Sequence, residues 1–516
     1  MPRGSTTYPL RPDPGGVRED LNPIAIPDGQ LLASLNWLVR RGVGAPRPGY
    51  TQVGSQVAAA NRIIGIGYRN GPLETSGIVF HTLTAAYAWD GTALTAITGT
   101  WSADSDSDYD LVRMVPFRSS GTLYLLRVNP DNDVETWDGS SSAFANIGSN
   151  EPTGTDIFVL GNRVLVVHAD ADQHAVQWSN FNDVSTWTAT DIVRLLDTPG
   201  KLVAGRAVTP LTGAIYKNDG VYLATVQSAK TPFQFQFVGS VPGPLSPGCL
   251  VSTRGTHYWL AEDFVLYSFD GSRIQPVSSA LASTLFDTLD ITKLKQTHGC
   301  VMAQDAGELW FFYPDADNAG TMTRGLSYNI ATGAMNPHEF AHQVTASNSW
   351  VKQATITIDG LTSYSADIDG LATPFSTIDS MTSSGTASSL IGDNNGNFYQ
   401  FGLATTDNNT AIDWSFTHPP KAVAGLDKRV QLDGIVSYWT LTSGSVTVTL
   451  TITVSDDLGD DETTTTGTFN TNTESNHLTN FSGRAKWIKV QHSATASNPS
   501  LEHRGSAILG WPRTMV

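Results

Sequence analysis

Val446, Val448, Leu450, Ile452 and Val454 alternate strictly with Thr. A period of two puts one face of an extended strand into a core and leaves the other in solvent. Trp487-Ile488-Lys489-Val490 and Ala507-Ile508-Leu509 read as further strands, so residues 410–516 are expected to form a β-sandwich. Upstream, from Arg62, a looser unit recurs: an extended segment ending in aromatic-Asp-Gly, then another short strand. Trp89-Asp90-Gly91 leads into Leu94 and Ile97, Trp137-Asp138-Gly139 into Phe144 and Ile147, and Phe269-Asp270-Gly271 into Ile274 and Val277. Asp-Gly supplies the positive φ of a tight hairpin, and the aromatic packs on a sheet face. Units spaced by roughly 40 to 60 residues match four-stranded blades, so residues 61–409 are expected to close into a β-propeller of five to seven blades. The competing arrangement is an open sandwich of unrelated hairpins.

Two stretches interrupt this pattern. Ser279 to Leu294 places Leu281, Leu285, Phe286 and Leu289 at helical spacing and predicts a helix laid on the propeller. Ile358-Asp359-Gly360-Leu361 recurs as Ile368-Asp369-Gly370-Leu371 and Ile378-Asp379-Ser380-Met381, an insertion spanning 356–382.

Ahead of the repeats, residues 1–60 read as an arm and docking segment. In Asp20–Val53, Pro27 and Asp28 suit the start and cap of a helix that carries Leu31, Leu32 and Leu35 on one stripe. Trp37, Leu38 and Val39 read as extended. Arg40, Arg41, Gly42, Val43 and Gly44 turn the chain, and Pro46, Pro48 and Gly49 hold an extended hook. Such an arm cannot bury itself and needs the propeller's flank or a neighbouring subunit. Leu31, Leu35, Trp37, Arg40, Arg41, Arg47 and Tyr50 are the candidate docking residues.

Composition narrows the chemistry. The 516 residues are 15% charged with a formal net charge of −17, which disfavours binding nucleic acid by phosphate neutralisation. Cys249 and Cys300 are the only cysteines, fewer than a disulfide-stapled secreted protein uses, so folding in a reducing compartment is expected. No apolar run approaches the roughly 20 residues of a membrane helix, and no signal peptide is read at the start. His338-Glu339-Phe340-Ala341-His342 spells HExxH, yet it is short, follows Pro337 and lies among β segments, whereas a zinc protease needs it on a helix. Asp104, Asp106 and Asp108 resemble a calcium loop but have Tyr109 where Gly is required. No P-loop, nucleophile elbow or Cys-x-x-Cys occurs. The reading is a non-enzyme with no cofactor and no metal.

Leu21-Asn22-Pro23-Ile24, Pro27-Asp28-Gly29-Gln30, Leu35-Asn36-Trp37 and Arg47-Pro48-Gly49-Tyr50, after Gly15-Gly16, resemble the N-terminus of the packaged-DNA stabilisation and tail-nozzle proteins of short-tailed phages. The aromatic-Asp-Gly units, Asn180 to Trp187, the Ile-Asp-Gly-Leu repeats and Ser455-Asp456-Asp457 with Arg484 and Trp487 extend the likeness over most of the chain. Val17-Arg18-Glu19 and Trp37 depart from the family's commoner pattern. The resemblance implies a structural virion protein of the phage tail, synthesised in the host cytoplasm. It would form a hexamer below portal and adaptor rings and contact tail fibre or tail-tip proteins. Its channel would retain double-stranded DNA and conduct it on ejection, without sequence-specific binding. The alternatives are a tail-tip receptor-binding or fibre-anchoring protein and, further off, a propeller polysaccharide hydrolase.

Overall fold

A computed structural model of the chain describes residues 6–10, 15–40, 43–57, 61–69, 77–91, 93–99, 101–102, 112–228, 231–302, 307–352, 386–422, 430–441, 445–456, 462–471, 474–496 and 501–512. The Ile-Asp-Gly-Leu repeats, Asp104, Asp106, Asp108 and Arg41 lie outside the described residues.

Among the described residues, seven antiparallel sheets form the propeller. Their innermost strands are Ile63–Tyr68, Arg113–Ser119, Asp156–Leu160, Leu202–Thr209, Leu250–Thr253, His298–Val301 and Ala346–Lys352. Each touches the next, and the last returns to the first, which closes the ring. The aromatic-Asp-Gly units turn between the third and fourth strands of blades one and five, and follow the third strand of blade two. Trp89, Trp137 and Phe269 are buried, and Gly91, Gly139 and Gly271 have φ of 93°, 86° and 92°, where only glycine is unstrained. Asp138 accepts from the backbone N–H groups of Ser140 and Ser141, and these bonds hold its carboxyl far below the usual range.

The ring is sealed from outside its own sequence span. Blade seven contains Ala346–Lys352, Thr386–Gly392 and Phe398–Ala404, and its outer strand is Gly49–Gln52. Tyr50 pairs with Phe401, Thr51 with Gln400 and Gln52 with Tyr399. At Gly49 an added Cβ would lie 2.1 Å from the Thr406 carbonyl oxygen, so the approach of these two backbones demands glycine.

Among the described residues the C-terminal sandwich has two six-stranded sheets, and the N-terminal stretch supplies strands to both. Thr6–Leu10 pairs with Leu501–Pro512, and the hairpin Trp37–Arg40/Val43–Pro46 extends the same sheet. Ala33–Leu35 pairs with Ile412–Thr417 in the other. The arm is therefore not a separate segment: it is woven through both domains.

Two local expectations are corrected. No helix follows Pro27: Leu31 bridges Val17, the Leu32 N–H donates to the Thr417 carbonyl at 2.9 Å, and Ala33–Leu35 is a strand. Pairing to the sandwich overrides the weak leucine stripe. The Asp28 carboxylate is exposed and faces Lys421 at 3.2 Å, while the capping chemistry sits earlier, with Asn22 accepting from Ile24 N–H at a short 3-10 turn. The second helix is shorter than expected, Ala282–Thr288 followed by a 3-10 turn Ile291–Gln296. Leu281, Leu285 and Leu289 face the core, whereas Phe286, one position off that stripe, is 72% exposed. Leu281, at the N-cap of this helix, offers no capping oxygen, and Glu19 from the arm supplies it, accepting from Thr284 N–H at 3.0 Å.

Candidate interdomain docking site

One apolar core spans both domains. Trp37 is 1% exposed and belongs to a buried cluster that joins Leu260, Leu309 and Phe311 of the propeller to Trp414, Phe416 and Trp439 of the sandwich. Its ring stacks on Phe416 at 4.4 Å and tilts against Trp414 at 4.8 Å. Burying a side chain of this size contributes several kcal/mol, so Trp37 anchors the sandwich to blades five and six. Arg40, on the same strand, pairs its Nη2 with Glu308 Oε2 at 2.5 Å; the Glu308 carboxylate, at the start of a blade-six strand, is otherwise enclosed.

Between strand Trp37–Arg40 and blade seven lies a polar knot. Asn36 adopts φ of 53°, a left-handed conformation that Asn tolerates better than most residues. That turn aims its amide inward. Nδ2 donates to the Asp413 carbonyl at 2.7 Å, and Oδ1 accepts from Arg47 Nε at 2.8 Å and from Glu339 N–H at 2.9 Å. Arg47 then makes a fork with Asp407, Nη1 to Oδ1 at 2.8 Å and Nη2 to Oδ2 at 2.6 Å. It also donates to the carbonyls of Pro48 and Glu339 and lies over the Phe340 ring at 4.3 Å. Asp407 accepts in addition from Ala341 N–H at 3.1 Å. Both charges are buried, which is tolerable because every oxygen of the carboxylate and most guanidinium N–H groups are hydrogen-bonded.

Tyr50 completes the site on the closing strand. Its hydroxyl accepts from His342 N–H at 3.0 Å and meets His342 Nδ1 at 3.0 Å. Burial, reinforced by the Asp407 carboxylate, pushes the phenol well above its ordinary range.

The HExxH segment is the platform for these contacts. His338 and Glu339 belong to the strand Met335–Glu339, so the two histidines do not share a helical face. His338 stacks on Trp310 at 4.4 Å, and its Nε2 meets the Ser327 hydroxyl at 2.9 Å. Burial, with Arg47 and Arg40 nearby, holds this imidazole far below its usual pKa. The Glu339 carboxylate faces Arg324 at 2.5 Å. Among the described residues no group of three His, Cys, Asp or Glu side chains is arranged to hold a metal ion.

Of the candidates named from sequence, Leu31, Trp37, Arg40, Arg47 and Tyr50 converge here, and Leu35 is half-buried on the neighbouring strand Ala33–Leu35. Of the two surfaces expected for the arm, the chain's own propeller and sandwich take these side chains. Asn36, Asp407 and Glu308 were missed as site residues. Glu308 had one signal: a lone carboxylate opening the apolar run Leu309-Trp310-Phe311-Phe312, which requires a buried partner. Asp407 had none, because its partner lies 360 residues away.

No known family matches the chain, and no curated protein does. Among solved structures, BBS1N in complex with ARL6DN aligns over 70% of this chain and 99% of that one, at 9% identity and a TM-score of 0.39. A likeness at this level assigns nothing to this chain beyond what its own strands display.

Proposed function

We propose that the protein is a structural virion component, a subunit of a phage tail nozzle or head-to-tail plug that assembles as a six-fold ring. The observation that carries the reading is where the resemblance falls. Asn36-Trp37 and Arg47-Pro48-Gly49-Tyr50 are the residues that lock sandwich to propeller and close the ring of blades. A subunit fused in this way moves as one body, which suits a part that must resist the pressure of packaged DNA. The axial cavity of the propeller has a volume of about 250 Å³, far too small for a duplex. DNA would therefore pass between subunits, along a surface whose net charge of −17 repels phosphate and prevents sticking.

Electron microscopy of the purified protein, or of particles carrying it, tests the reading. A six-fold ring with an open central channel is expected. A monomer at every concentration and within assembled particles would exclude it, and a three-fold assembly would favour a tail-tip receptor-binding protein.

A further inference from the structure

The interior of the sandwich holds three histidines. His492 lies on the strand Trp487–Ala496 and His418 follows the strand Ile412–Thr417, both in one sheet, while His503 lies on Leu501–Pro512 in the other. All three are buried. The ring centroids of His492 and His503 are 5.2 Å apart, and that of His418 is 6.1 Å from the first and 6.3 Å from the second. A chain of polar atoms links the two sheets through them. His503 Nε2 meets the Ser506 hydroxyl at 3.0 Å, Ser506 donates to the Ser437 hydroxyl at 3.0 Å, and Ser437 meets His492 Nε2 at 3.0 Å. Aromatic rings pack around this chain. Phe416 stacks on His492 at 4.8 Å and Trp439 tilts against His503 at 4.6 Å, and both rings also pack on Trp37.

At its centre this clasp suits a neutral ring. His492 Nδ1 is buried without a hydrogen-bond partner among the described residues. An imidazolium donates from both nitrogens, so a protonated His492 would leave one N–H unsatisfied. The groups that face His492 are Ser437, Phe416, Trp439 and, across the ladder, Leu450, and the titratable groups acting on it are His503 and His418. The nearby ions answer each other instead. Glu502 and Arg504, on either side of His503, are exposed and paired at 3.5 Å, and Lys421 and Asp28, which line the same outer groove as His418, are paired at 3.2 Å. Burial, with His503 and His418 beside it, holds the His492 imidazole far below the ordinary histidine range. A lowered folded pKa means that the stabilisation is complete above about pH 6.5 and is lost as pH falls from there. The proton need not enter the closed sandwich, because linkage favours an open form that takes it up.

We propose that this cluster is an acid-operated latch: on acidification the two sheets of the sandwich part at the His492–Ser437 contact and Trp37 loses the rings that seat it, while the blades stay closed. The order follows from placement. In the propeller His257 and His298 stand on separate blades, whereas in the sandwich three imidazoles share one interior, where a charge on one disfavours a charge on the next. Opening the sandwich therefore takes up as many as three protons, and its equilibrium steepens with acid accordingly. The latch is independent of the ring assembly proposed above and operates within a single subunit.

Hydrogen exchange of the full chain, read by mass spectrometry from about pH 7.5 to 4.5 and corrected for the intrinsic rate, tests this. Peptides from Val430–Leu441 and Trp487–Ala496 are expected to lose protection by about tenfold or more per pH unit below about 6.5, the mark of at least one proton taken up on opening. Peptides from the blade strands Leu202–Thr209 and Glu308–Asp315 should change less over the same range. His492→Gln keeps a polar side chain without a titrating ring, and it should remove about one factor of ten per pH unit from the sandwich alone. Sandwich and blade peptides that open in parallel, or a sandwich that stays protected to the lowest pH, would overturn the latch. The unaltered protein decides both points, should the variant fail to fold. An unchanged pH dependence in a folded His492→Gln would overturn the assignment to this cluster.

Discussion

Arg47 and Asp407 stand 360 residues apart in the chain and share two hydrogen bonds of 2.8 and 2.6 Å, with side chains 1% and 3% exposed. One belongs to the segment that enters the propeller and the other to the segment that leaves it. Removing Arg47 strands a buried carboxylate, so Arg47→Ala is expected to destabilise by about 3–5 kcal/mol. The double variant Arg47→Met/Asp407→Leu should recover much of that loss, because it leaves no lone charge. Denaturant midpoints of the single and double variants measure both; equal losses would show that shape rather than charge matters here.

Trp37 should behave as a shared anchor. Trp37→Ala is expected to lower stability by about 3–5 kcal/mol through the cavity it leaves. Because its core joins sandwich and propeller, thermal unfolding should split into two transitions in the variant and remain one in the parent. Scanning calorimetry distinguishes the two patterns.

Truncation of residues 1–52 removes the outer strand of blade seven and four strands of the sandwich. The shortened chain should lose cooperative unfolding and become protease-sensitive throughout. If it instead folded and merely failed to assemble, the arm would be a docking element for neighbours and its burial here would be of little consequence.

Acid should weaken the propeller in a defined window. Burial holds the pKa of His257 and His298 at about 4, against about 6.5 in the unfolded chain. A lowered folded pKa means that the stabilisation is complete above pH 6.5 and is lost as pH falls from there through 4. Each histidine accounts for on the order of 3 kcal/mol across that window. Melting temperatures taken from pH 7.5 to 4, in buffer free of phosphate, should fall steeply, and His257→Gln should flatten the curve. A profile that stays level to pH 4 would contradict this.

The HExxH segment predicts an order of sensitivity opposite to that of a zinc protease. Glu339→Gln loses a partly exposed ion pair, worth under about 1 kcal/mol. His338→Ala loses the stack on Trp310 and should cost more in stability. Chelation with EDTA should leave the melting temperature unchanged.

Much of the fold was legible because hairpins are local. Trp89-Asp90-Gly91 and its relatives contain both the turn and the residue that packs beside it, so the blades could be read without knowing their neighbours. The strand Val446–Ser455 was legible for the same reason, its alternation being complete within itself. Leu31 to Leu35 misled because three leucines at near-helical spacing fit a stripe, while the partner that makes them extended, Ile412–Thr417, lies some 380 residues on. In the docking site, Arg47 and Tyr50 could be picked out, but not what they meet. A buried ion pair between distant segments leaves no periodicity in either one, and His338-Glu339 drew attention for a chemistry that its strand geometry does not support.

The strand Gly49–Gln52 also sets an order of events during synthesis. It leaves the ribosome before any blade exists, yet its partner, Phe398–Ala404, follows only about 350 residues later. At 5–20 residues per second that interval is roughly 20–70 s. Throughout it, six blades can form while the ring stays open and one sheet edge waits unpaired, a template for pairing with another nascent chain. The clasp that closes the ring of blades is therefore the last pairing of the propeller to become available, and until it fastens one sheet edge of the ring stays open to error.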